Sequence, residues 1–147
     1  MKTKHKTTGY ILAHGYSSNR LWVSIHAGKD LSKYYIWLCH TRLKSRFKIV
    51  RPTWDAHVSL VRGELPFESS YGKQLDNMPI ELEYEHEIYR AGRHFCMNVT
   101  CPKANALRVA LGLSSEPLAP FHLTIGVLDG NHHMPEIRMT PSGEQFS

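Results

Sequence analysis

The sequence predicts an α+β domain made of two related halves, and three observations carry that prediction. The order strand, helix, strand occurs twice, and each unit closes on the tetrapeptide pattern His-x-Ser/Thr-apolar. The two copies, His57-Val58-Ser59-Leu60 and His122-Leu123-Thr124-Ile125, stand 65 residues apart, a little under half the chain. Self-similarity on that scale marks a repeated supersecondary unit. Finally, 147 residues with 41% hydrophobic content suffice for one core, and no Pro/Gly-rich linker divides them, so a single domain over 1–147 is expected.

Residues 1–8 are polar and are expected to be frayed. The run Arg20–Ala27 alternates, with Leu21, Val23 and Ile25 on one face and Trp22 on the other, as in a half-buried strand. Gly28 and Asp30 offer a helix start. Leu31, Tyr34, Tyr35, Leu38 and Leu43 then recur at helical spacing up to about residue 44. Pro52 imposes an extended approach to a buried strand over 56–61.

Gly63–Pro79, rich in Gly, Pro, Ser, Asp and Asn, reads as a long loop of the kind that forms lids or binding loops. Residues 80–85 alternate as a strand with an acidic face, Ala91-Gly92 is a plausible hairpin turn, and 94–99 is the return strand. Pro102 suits the first turn of a helix that ends at Gly112 and turns Ala106, Leu107, Ala110 and Leu111 inward. Residues 121–128 form a last buried strand, and 129–147 read as a polar tail or flap.

Residues i and i+2 of a strand share a face. His57 therefore lies beside Ser59, and His122 beside Thr124. Two imidazoles and two hydroxyls that converge can cleave a phosphodiester. One neutral imidazole accepts a proton from the attacking oxygen, and one imidazolium donates to the leaving oxygen. The hydroxyls hold the non-bridging oxygens. His26 has no hydroxyl two residues later and is set aside.

With both motifs in matching contexts between about Arg20 and Leu128, the chain resembles the 2H phosphoesterase superfamily, the LigT-like and cyclic-phosphodiesterase group. That resemblance implies a bilobal, pseudo-twofold fold with antiparallel-rich sheets, a central cleft and flanking helices. It implies His57 and His122 as the acid/base pair, and Ser59 and Thr124 as the phosphate-holding hydroxyls. The compact form, central loop and polar tail are similar to phage members that degrade cyclic di- and trinucleotide immune signals. Cyclic oligonucleotides are thus the expected substrates, with no cofactor or metal. An RNA-processing 2′,3′-cyclic phosphodiesterase and a non-catalytic nucleotide sponge are the rival readings.

Around the motifs, Trp54, Phe67 and Tyr71 are candidates for base stacking. Arg62 is a candidate for phosphate binding, as is Lys73. A flap could bring His132, His133 or Glu136 over the site. His94, Cys96 and Cys101 have some metal-like spacing, but nothing familiar completes four ligands. A net charge of +5 hints weakly at an anionic partner. No apolar run approaches the roughly 18 residues of a membrane helix. Three cysteines cannot complete a disulfide framework, so a reducing cytoplasm is expected (the host's, if phage-encoded), with no membrane and no obligate protein partner.

Overall fold

The computed structural model describes residues 4–17, 20–43, 47–64, 74–130, 137–140 and 143–146, with backbone alone for 14–17 and the last two segments. Strand β1 (Lys4–Ser17) pairs with β2 (Arg20–Gly28), and helix α1 (Lys29–Arg42) follows. Gly28 caps that helix and Asp30 lies in its first turn, as expected. Next come β3 (Ile49–Val50), β4 (Ala56–Glu64), β5 (Pro79–Glu85), and the hairpin of β6 (Ile88–Ala91) with β7 (His94–Thr100). Helix α2 (Pro102–Ala110) and strand β8 (His122–Leu128) close the second unit, and β9 (Ile137–Thr140) and β10 (Gly143–Phe146) follow.

Antiparallel pairing runs β1–β2–β4–β8–β7–β5 and returns to β1, a closed ring of six strands. One side of these strands is apolar and buried, with Leu21, Val23, Ile25, Val58, Phe95, Met97, Leu123 and Ile125 at its centre. Helix α1 covers part of it. Gly126 permits that approach, since a Cβ there would stand 2.7 Å from Ile49 Cγ2 and 3.3 Å from Ile36 Cγ1. Each helix also reaches the other unit's motif strand, α1 packing on β8 and α2 on β4. The two motif strands are direct neighbours in one sheet rather than opposite walls, because β4 and β8 exchange backbone hydrogen bonds.

Several expectations are corrected. Residues 4–8 are not frayed; they are the first part of β1 and pair with β5 from Lys4↔Glu85 to Thr8↔Glu81. Their polarity matches β5's acidic face, with Lys4–Glu83 at 3.4 Å and Lys6–Glu81 at 3.8 Å. Within 129–147, residues 137–140 and 143–146 are not tail but two strands that extend the sheet beyond β6. The loop starts later than Gly63, since β4 continues to Glu64. Its far end is anchored: Leu75 is buried, Ala13 N donates to Asp76 Oδ1, and Asn77 N donates to Ile11 O.

In α2 the inward face is Ala104, Leu107, Arg108 and Leu111, while Ala106 and Ala110 are exposed. A hydrophobicity pattern passes over Arg108, yet that arginine is 1% exposed. Its guanidinium donates to both Glu64 carboxylate oxygens at 2.7 Å, and to the carbonyls of Leu60 and Ser114 at 2.9 and 2.7 Å. Leu60 is a β-bulge: Ser24 pairs with Ser59 and Val23 with Val61, so Leu60 has no partner on β2. Arg108 thus satisfies a carbonyl that the irregular ladder leaves over. A matching bulge falls at Ile125 of β8, where Cys96 pairs with Thr124 and Phe95 with Gly126. Both bulges lie three residues after the motif histidine.

Removing one partner of such a pair strands the other's charge. Arg108→Ala is expected to lower unfolding free energy by about 2–3 kcal/mol, less than for a fully buried pair because Glu64 stays partly solvated. The Arg108 hydrogen bonds hold the Glu64 carboxyl below its usual range. Its contribution is therefore complete above the unfolded value of about 4.3 and is lost as pH falls through the lower folded value. Urea denaturation of wild type and Glu64→Gln should show a stability gap at neutral pH that closes under acid.

Candidate active site

The side of β2, β4, β8 and β7 opposite the apolar core carries two rows of side chains, most of them polar. His26 pairs with His57, His57 with Thr124, and Thr124 with Cys96. In the next row Ser24 pairs with Ser59, and His122 with Asn98. Cross-strand partners share a face, so the period of two that sets His57 beside Ser59 also sets both beside Thr124 and His122. The four residues expected from the motifs therefore converge. Thr124 is buried and lies 3.9 Å from Cys96 Sγ, while His57, Ser59 and His122 are half-buried.

The Leu60 bulge decides where Arg62 points. In a regular strand a residue three positions after Ser59 faces the opposite side. The extra residue reverses that parity, and Arg62 pairs with Trp22 on the site face. Gly63, at φ 63°, then lets the chain pass under the Trp22 ring, where a Cβ would meet the indole at 2.7 Å.

Both motif histidines are oriented in the same way. His57 Nδ1 donates to the Asp55 carbonyl at 2.8 Å, and His122 Nδ1 to the Pro120 carbonyl at 2.9 Å. A carbonyl only accepts, so each Nδ1 carries the hydrogen and each Nε2 is left for proton transfer. Asp55 reaches this geometry at φ 54°, a left-handed conformation that Asp tolerates better than most residues, and it pairs with Arg51 at 3.5 Å.

The environments of the imidazoles differ. Burial is the main cause that lowers the His57 pKa, and the nearby His26, His122 and His94 lower it further against the Asp55 hydrogen bond. His94 is also lowered, first by burial and then by His122, Arg62 and Arg93. His57 is thus biased towards the neutral, proton-accepting form at neutral pH.

Among the stacking candidates, Trp54 meets His57 edge-on with ring centroids 5.5 Å apart and is 40% exposed. Phe67 and Tyr71 lie outside the described residues, as do Lys73, His132, His133 and Glu136. The possible metal trio separates: Cys96 faces Thr124, and Cys101 Sγ donates to Glu81 O. Three residues not assigned to the site from the sequence lie on it: His26, which was set aside, Trp22, which was placed only on the face opposite Leu21 and Val23, and Ser24. His26 lies 6.5 Å from the His57 ring and 6.2 Å from Trp54, with Ser24 Oγ 3.0 Å from its Nε2. A signal was present, because Ser24-Ile25-His26 is the motif pattern reversed, as an antiparallel neighbour requires to align like with like.

Two adjoining cavities share Ser59 and Arg62. One, of about 130 Å³, is lined by Trp22, Ser24, Trp54 and His57; the other, of about 260 Å³, by Glu64, Pro117, Leu118, Pro120 and His122. No protein-family model, curated protein or solved structure matches this chain. Among the described residues, no helix is long and apolar enough to cross a membrane.

An NMR titration of the imidazole Cε1 protons should place the His57 midpoint below the ordinary value of about 6.5. His26→Gln should move it upward, because the His26 imidazole is one of the neighbours that lower it.

Proposed function

We propose that the chain is a phosphodiesterase of the 2H type, with the bilobal pseudo-twofold arrangement of that superfamily. One observation carries the reading: two histidines with matched Nδ1–carbonyl hydrogen bonds share one strand face with Ser59 and Thr124. Binding alone would need neither the fixed tautomers nor the pair.

In the proposed reaction His57 Nε2 takes the proton from the attacking hydroxyl, as its burial among other imidazoles favours. His122, as imidazolium, donates from Nε2 to the departing oxygen. Ser59 and Thr124 donate to the non-bridging oxygens. Arg62 offsets the charge that builds on them in the transition state. These side chains supply every proton transfer the cleavage requires. Ribonucleotide phosphodiesters are the substrate class, and cyclic di- and trinucleotide signals are the first candidates within it.

Purified protein in EDTA is expected to linearise at least one cyclic di- or trinucleotide. His57→Ala and His122→Ala should each lower kcat by about 10²–10⁴-fold. The acidic limb of the kcat/KM profile should fall below about pH 6.5, because the base must be unprotonated and its pKa is lowered. The reading fails if cyclic oligonucleotides and 2′,3′-cyclic mononucleotides all stay intact, or if both histidine variants keep the full rate.

A further inference from the structure

We propose a second ligand site, apart from the motif histidines, that takes a small organic cation with a quaternary ammonium head. It is a cavity of about 640 Å³ between β1, the first turns of α1 and the end of β5. It shares no residue with the two cavities beside His57 and His122. The site stands whether or not those histidines cleave phosphodiesters.

Strand register and helix period bring five rings to this cavity. His5 pairs with Tyr84 across β1 and β5, so the two share a face, and His86, just past the end of β5, lines the same cavity. On α1, Tyr34 follows Asp30 by one turn, which sets its ring on the same side of the helix as the carboxylate. Tyr35 is buried, and its hydroxyl donates to that of Tyr84 at 3.5 Å. The rings succeed one another as a curved wall. Tyr34 and Tyr35 are 4.9 Å apart at 82°, and Tyr35 and Tyr84 are 6.2 Å apart at 84°. Tyr84 and His5 are 5.5 Å apart at 36°, and His5 and His86 are 5.6 Å apart at 41°.

Two of those turns are close to right angles. Parallel walls suit a flat base, whereas walls at right angles suit a rounded group that meets several rings at once. Charge selects the sign of that group. Ring faces carry the negative part of the aromatic quadrupole and attract cations. Asp30 is exposed, and among the described residues it has no ion-pair partner. The chain has 18 lysines and arginines, yet none lines this cavity. Lys4 and Lys6 alternate with His5 onto the other face of β1, where they pair with Glu83 and Glu81. An anion would therefore meet a carboxylate and ring faces with no cation to offset it.

The size and coordination of the cation follow from the same wall. Among the described residues, no three His, Cys, Asp or Glu side chains come together as metal ligands, so a bare metal ion does not fit. A primary ammonium has three hydrogens to place, against one carboxylate here. A quaternary ammonium has none, and its methyl groups pack directly on the rings. The cavity exceeds the roughly 300 Å³ at which pockets for small organic ligands begin, which leaves room for the chain that carries the head.

The test is an NMR titration with choline at constant ionic strength and mildly alkaline pH. The control is its neutral isostere, in which carbon replaces the quaternary nitrogen. Choline should shift the Tyr34, His5 and His86 ring signals saturably and leave those of His57 and His122 in place. The isostere should bind at least about tenfold more weakly. Tyr34→Ala, at a half-exposed position, should weaken choline binding about tenfold, and Asp30→Asn about threefold. Tyr34→Phe keeps the ring face and should bind as the wild type does. The site is refuted if the isostere binds as tightly as choline, if the shifts centre on His57 and His122, or if nothing saturates into the tens of millimolar. It is equally refuted if Tyr34→Ala or Asp30→Asn keeps full affinity, or if Tyr34→Phe loses as much as Tyr34→Ala.

Discussion

The antiparallel register of β4 against β8 is the constraint on which the site depends. With His57 opposite Thr124, the alternation within each strand brings both motifs to one face, and their intervening Val58 and Leu123 to the core. A slip of one residue would bury the imidazoles and expose two core side chains. Burial of the apolar face therefore enforces the register. The energy that folds the domain is the same energy that assembles the candidate active site.

Regular pairing alone would leave that face without its cation. Arg62 reaches it because Leu60 is an extra residue in β4, and the bulge is tolerable because Arg108 satisfies the Leu60 carbonyl while Glu64 neutralises Arg108. A buried guanidinium is a poor source of stability compared with an apolar side chain of similar size. Its use here is geometric, since it joins α2 to the end of the motif strand and thereby sets where Arg62 lies.

The two units echo one another in detail and differ in their surroundings. Each has a carbonyl two residues before the motif histidine that fixes its tautomer, and each has a bulge three residues after it. Yet His57 has His26 and Trp54 against it, whereas His122 lies beside an open turn of prolines and Leu118. Two near-equivalent imidazoles thereby receive unlike surroundings, and burial with its imidazole neighbours lowers the His57 pKa. The proposed division into base and acid follows from that asymmetry.

Much was legible in the chain itself. Strand alternation and helical spacing placed β2, α1, β4, β5, β7, α2 and β8 to within a few residues, and the repeated tetrapeptide named His57, Ser59, His122 and Thr124. Where the reading failed, local pattern was silent about partners. Lys4–Thr8 looked frayed because its charges are balanced only by β5, 75 or more residues away. Arg108 was not counted among the inward residues of α2 because its partners, Glu64 and the Leu60 carbonyl, lie on another element. His26 was set aside because its relation to His57 exists only across a strand pair. The sequence by itself determined which residues alternate, which motif repeats, and hence which chemical groups share a face. Only the tertiary structure decided which strands adjoin, where the ladder bulges, and which imidazole is the more enclosed, because those depend on non-local hydrogen bonds and burial that no window along the chain contains.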